Sequence, residues 1–127
     1  MLVGAVQTAL SVSNSAVEFT TRVANIGGQN EIDECTGGLT EMETVSEYLG
    51  RPYYPIHYEC GGAQILNLKE GEQVHIDDVG DYLVLTTTDI NRGDTAAALK
   101  DFPGEAILQT CHPTGPKMRV VTLAARS

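Results

Sequence analysis

Most of the apolar positions in this chain recur with the period of two that a half-buried strand requires. Residues 118–125 alternate β-branched and other side chains, and residues 106–111 run apolar into Thr110 and Cys111, so both read as strands. Residues 17–25 form a further strand closed by Gly27 and Gly28, and residues 53–58 an extended run closed by Gly61 and Gly62. In residues 73–76, Val74 and Ile76 point inward and His75 outward, and residues 81–88 form the strand after them. Helical spacing is rarer. Met42, Val45 and Leu49 share one face of a helix over 41–49 that Gly50 and Pro52 stop, residues 63–69 allow at most two turns, and Asp94 caps a short helix over 94–100. The polar, Gly-containing stretch 29–40 has neither period and reads as a connection. Short, closely spaced strands with turn signals and few helices predict a mostly β fold, a closed or sandwiched antiparallel barrel.

Length and composition narrow the partners. The 127 residues suit one domain, 1–127, with 1–16 a loosely ordered N-terminal extension, and 42% hydrophobic residues are enough for a single core. Seventeen acids against eight bases give a formal net charge of -9. The bases are scattered singly, from Arg22 and Arg51 to Arg119 and Arg126, with no stripe to neutralise phosphates, so nucleic acid is a poor partner. The same acidity disfavours anionic membranes. The first residues are mildly apolar but hold Gln7, Thr8 and Ser11 with no basic residue ahead of them, which fits neither a transmembrane span nor a secretory signal.

Candidate chemistry sits late in the chain. A strand ending in Cys111, a turn marked by Pro113, Gly115 and Pro116, and a strand opening at Met118 and Arg119 set a thiol and a guanidinium side by side. A fixed positive charge favours the thiolate, which is the reactive form. Three histidines are available as a base. His112 neighbours Cys111 on a strand and so points to the opposite face, and His75 points outward, which leaves His57. Of the three cysteines, Cys35 and Cys60 either form a bridge with Cys111 free, or all three remain thiols. His57, Cys60, Cys111 and His112 are ligand types suited to zinc, although Cys111 and His112 diverge on a strand. A papain-like hydrolase places its cysteine early and its histidine late, the reverse of the order here.

Leu108, Gln109, Thr110 and Cys111, followed by His112 and Pro113 and then by Arg119, Val120 and Val121, resemble the sortase family of cysteine transpeptidases. The likeness is to the actinobacterial, class E-like members, in which His-Pro follows the cysteine. Upstream, His57, the segment 65–74 with its Gly71 and Glu72, and the strand opening at Gly80 and Asp81 follow the family's order of elements over roughly the last three fifths of the chain. Ile56 stands where many sortases have Gly before the histidine. The resemblance implies a sortase-like barrel at the cell surface, without cofactor, that cleaves a Thr-Gly-type bond in an extended sorting peptide and transfers the acyl group to an amine. It implies Cys111 as nucleophile, His57 as acid and base, Arg119 as stabiliser of the oxyanion or substrate backbone, and Thr110 beside the substrate. Some sortases bind calcium, and Glu31, Asp33, Glu34 or Asp77, Asp78, Asp81 offer acids for it, though neither cluster has the spacing of a recognised loop. The alternative on the same fold is a barrel that binds peptide, as part of a surface or particle assembly, without turning it over.

Overall fold

The computed structural model describes residues 17–126, and the expected N-terminal extension lies outside them. Its strands are β1 (Val17–Gly27), β2 (Leu39–Met42), β3 (Tyr53–Pro55), β4 (Gln73–Asp77), β5 (Gly80–Asn91), β6 (Ala106–Cys111) and β7 (Lys117–Ala125). Two short α-helices, α1 (Gln29–Asp33) and α2 (Glu43–Leu49), and 3-10 turns at Tyr58–Cys60, Gly62–Asn67 and Ala96–Leu99 connect them. The strands form one sheet in the order β2-β1-β4-β5-β7-β6-β3. Its edge strands β2 and β3 lie against each other, so the sheet curls into a mostly β, nearly closed barrel.

The long alternating segments form the middle of that sheet. β4, β5, β7 and β6 pair antiparallel, as the turn signals predict. The flanking pairs differ: β1 runs parallel to both β2 and β4, and β3 runs parallel to β6. Two elements lie in the stretch that reads as a connection. β2 is four residues long, too short for a period to register, and is anchored by buried Leu39 and Thr40. α1 buries a single side chain, Ile32, so it has no apolar stripe to detect. Because Glu41 and Met42 belong to β2, the next helix starts at Glu43; it ends at Gly50, whose left-handed φ of 73° lets its N–H reach the carbonyls of Ser46 and Glu47.

β6 is buried on both faces, which is why Ala106 to Thr110 read as a run rather than an alternation. Toward the barrel interior, Ala106 and Leu108 pack with Val121, Leu123, Ile65 and Tyr54. On the outer face, Ile107 and Val120 pack with Tyr53 and Leu99, backed by Val45 and Leu49 of α2. The turn Gly62–Asn67 seals the interior end of β6, and Gly62 sits there because nothing larger fits. A Cβ at that position would strike the Thr110 side chain and lie 2.8 Å from the carbonyl oxygen of His57. Gly62→Ala is therefore expected to cost about 1–3 kcal/mol through overpacking, read as a lowered urea midpoint; an unchanged midpoint would mean the turn does not press on β6.

Candidate active site

Cys111 ends β6 and is the free cysteine among the described residues, partly exposed at the rim of the outer face. Parallel pairing of β3 with β6 matches Tyr53 with Ile107 and Pro55 with Gln109, an offset of 54 residues. The Ile56 N–H still bonds the Gln109 carbonyl at 2.9 Å, and the same offset carried two residues past Pro55 sets His57 abreast of Cys111. The two side chains line the same two cavities. One, about 180 Å³, is walled by Ile32, Pro55, Ile56 and Met118. The other, about 300 Å³, is walled by Tyr58, Glu59, Arg92 and His112. A thiol and an imidazole thus both line a largely apolar groove and a charged one.

His57 is held from both ends. Its carbonyl accepts the N–H groups of Cys60 and Gly62, each at 3.0 Å. Its Nε2 lies 2.6 Å from Oδ1 of Asp33, which also accepts the Gln29 side-chain amide at 2.9 Å. These bonds, His57 first and Gln29 second, hold the Asp33 carboxyl below the usual carboxylate range. A Cys35–Cys60 disulfide ties the chain just after Asp33 to the turn just after His57. The bridge realises one of the two cysteine arrangements open in the sequence, and it commits Cys60, so of the zinc ligand set His57, Cys60, Cys111 and His112 one of the two thiolates is taken and Cys111 alone is left.

Arg119 does not share the space of Cys111. In the β6–β7 hairpin Thr110 stands opposite Arg119 and Cys111 opposite Met118. Directly opposed residues project to the same face and sequence neighbours to opposite faces, so thiol and guanidinium leave the sheet on different sides. Strand adjacency, which suggested a side-by-side pair, is not adjacency of side chains. Arg119 instead donates from Nε to Oδ1 of Asp89 at 2.7 Å and from a terminal nitrogen to the Leu66 carbonyl at 3.2 Å. Nε2 of His112 joins the same Asp89 oxygen at 3.0 Å. Arg119 first, and then His112, hold the Asp89 carboxyl below its ordinary value.

The remaining candidates are placed as follows. Thr110 lines the smaller cavity, but its hydroxyl is buried beside Gly62 and has no hydrogen-bond partner among the described residues. His75 faces outward between Asp77 at 2.9 Å and Asp81 at 2.6 Å, and Asp81 above all raises its pKa. Glu31 and Glu34 accept from Gly28 N–H and the Asn25 side chain, so both acid clusters considered for calcium meet protein donors. Among the described residues no group of three or more His, Cys, Asp or Glu is placed to hold a metal ion. On the outer face, Tyr53 donates its hydroxyl to Gln109, which donates to the sulfur of Met118 at 3.0 Å. Burial, and secondarily a charge on Cys111, push the Tyr53 phenol far above its ordinary value.

Sequence reasoning missed Asp33 and Arg92. In the sequence Asp33 is only one of the acids offered for calcium, and Arg92 is one of several scattered bases; only the fold brings Asp33 to His57 and Arg92 to the cavity with Cys111. No family model, curated protein or solved structure matches the chain.

Asp89 also generates a pH signature. Its folded-state pKa lies below the unfolded value of 3.8, so its pairing stabilises above that pH and is lost as pH falls through the depressed value. Asp89→Asn is expected to destabilise the protein near neutrality by up to about 1 kcal/mol, a figure limited by solvent screening. The difference from the parent in urea denaturation should close below about pH 4. A difference that persists undiminished to pH 2 would assign the loss to something other than the carboxylate charge.

Proposed function

We propose that this chain is a sortase-like cysteine transpeptidase acting on extended peptides. The observation that carries the reading is a free thiol and an imidazole lining the same pair of cavities at the end of β6. The Cys111 thiol passes its proton to His57 as its sulfur attacks the carbonyl carbon of a Thr-Gly-type peptide bond, and a tetrahedral oxyanion forms. As that oxyanion collapses, the C–N bond breaks, His57 gives its proton to the departing amine, and a thioester remains on Cys111. An incoming amine then passes a proton to His57 and attacks the thioester, the C–S bond breaks, and His57 returns the proton to the sulfur, so His57 acts as base and then as acid in each half.

The resemblance implies that Arg119 stabilises the developing negative charge. Arg92 is the arginine that lines the cavity with Cys111, and its guanidinium is anchored there on the His112 carbonyl at 3.2 Å. In our reading Arg92 meets the oxyanion or the substrate backbone, and Arg119 braces β7 against Asp89 and the turn at Leu66. The disulfide fits an oxidising, extracellular compartment, in keeping with action at a cell surface. No helix among the described residues is long and apolar enough to cross a membrane. The second reading, a barrel that binds peptide without turnover, draws its support from Arg119, which is turned from the thiol and occupied by Asp89.

Intact-mass analysis after incubation with Leu-Pro-x-Thr-Gly-like peptides or thiol-directed peptidyl electrophiles tests the proposal. A single adduct on Cys111 is expected. Cys111→Ala should abolish it, and His57→Ala should slow peptide acylation by about 10²- to 10⁴-fold. Arg92→Ala should slow it by about 10²- to 10³-fold, the scale for losing one oxyanion donor, and Arg119→Ala should affect stability more than rate. Absence of a peptide adduct, or one whose rate ignores His57, would remove the transpeptidase reading; dependence on Arg119 with indifference to Arg92 would reverse the roles of the two arginines.

A further inference from the structure

Asp33 reaches His57 across 24 residues of sequence. The carboxylate oxygen that meets Nε2 at 2.6 Å also accepts the Gln29 amide at 2.9 Å, so it is an acceptor toward both. An ionised carboxylate has no proton to give, so the proton between Asp33 and a neutral His57 belongs to Nε2. Nδ1 then carries the lone pair, and the tautomer of the ring is chosen by the bond its other nitrogen makes.

Asp33 and its helix are not self-supporting. α1 has five residues and buries only Ile32, far short of what an isolated helix needs. The ion pair is open to solvent, with the Asp33 side chain 54% exposed, and an exposed pair contributes little unless its partners are already held together. Three ties hold them. Asn25 donates to the Glu31 carbonyl at 3.0 Å, and Glu31 accepts the Gly28 N–H at 2.7 Å, pinning the helix to the end of β1. Cys35, two residues beyond Asp33, turns back through a left-handed φ of 56°, a conformation that a non-glycine residue adopts only when its surroundings impose it. That turn delivers its sulfur to Cys60, whose own N–H bonds the His57 carbonyl at 3.0 Å.

We infer that Asp33 is a positioning residue for His57, fixing Nε2 as the hydrogen-bond donor and Nδ1 as the nitrogen that exchanges protons at Cys111, and that the Cys35–Cys60 disulfide holds Asp33 in that place. The catalytic consequence rests on the transpeptidase reading; the geometry does not. The bridge acts as a short tether, replacing the search of a loose five-residue helix for the ring with a local contact. Loss of the tether therefore resembles loss of the carboxylate.

The test uses the full chain with its disulfide formed and two probes that require no peptide. The first is the imidazole ¹⁵N–¹H NMR spectrum, in which the parent should show a protected, hydrogen-bonded Nε2–H for His57 and an unprotonated Nδ1. The second is the alkylation rate of Cys111 by iodoacetamide, mapped by mass spectrometry. Asp33→Ala should remove the protected proton and slow alkylation by up to about 100-fold, the scale for a misplaced catalytic group. Asp33→Glu should recover part of both. The Cys35→Ser/Cys60→Ser variant, checked for retained fold by circular dichroism, should reproduce Asp33→Ala, and adding Asp33→Ala to it should cost little more. If the double-serine variant does not fold, Asp33→Ala against Asp33→Glu decides the carboxylate's role and Cys60→Ala, with Cys35 also Ala, repeats the tether test. A proton on Nδ1 in the parent, or Asp33→Ala with unchanged spectrum and rate, would overturn the inference. If the two probes follow Asp33 while the parent acylates no peptide, the transpeptidase reading fails and the positioning role stands.

Discussion

The register of the β6–β7 hairpin decides what this protein can do at Cys111. Pairing Thr110 with Arg119 and Cys111 with Met118 sends one pair toward the barrel interior and the other to the outer face. A slip of one residue would exchange the two sets, so the register must be held firmly. Burial holds it. Val120, Val121, Thr122 and Leu123 are fully buried, with Val121 and Leu123 in the interior cluster and Val120 in the outer one, and neither face offers room for the alternative. The thiol is consequently tied to the outer face by packing several residues away from it.

On that outer face three separate parts of the chain supply the rest of the site. β3 brings His57 level with Cys111 through its parallel pairing with β6, the segment after β1 supplies Asp33, and the turn after β5 supplies Arg92. Gly62 and the His57 carbonyl form the hinge between faces: the turn that plugs the interior against Thr110 also donates the Gly62 N–H to the His57 carbonyl. Core packing and site geometry therefore share residues. The disulfide adds what a five-residue helix with one buried side chain cannot provide, a fixed distance between the acid and the imidazole.

The strands were legible where alternation ran long enough to establish a period, as in β5 and β7, and where a buried run was bounded by turn residues, as in β6. β2 and α1 were not, since four residues and one buried isoleucine carry no periodic signal. Cys111 stood out through the Thr-Cys strand end followed by Arg119, and His57 by elimination among three histidines, both in line with the resemblance to sortases. The relation of Arg119 to Cys111 was not legible, because the parity of a hairpin depends on how its turn is closed and Pro113, Gly115 and Pro116 allow more than one closure. Asp33 and Arg92 carry no local mark at all; their place is a product of tertiary structure.

The central claim is that substrate chemistry takes place on the outer face of β6, with peptide lying across the groove at Cys111. A crystal structure of the protein alkylated by an extended peptidyl chloromethyl ketone would address it directly. The account predicts a thioether to the Cys111 sulfur, with the peptide running along Ile32, Pro55, Ile56 and Met118 and its reacting end beside His57 and Arg92. A peptide bound instead on the face that carries Arg119 and Asp89, or a modified Cys111 with the peptide directed away from the groove, would contradict it.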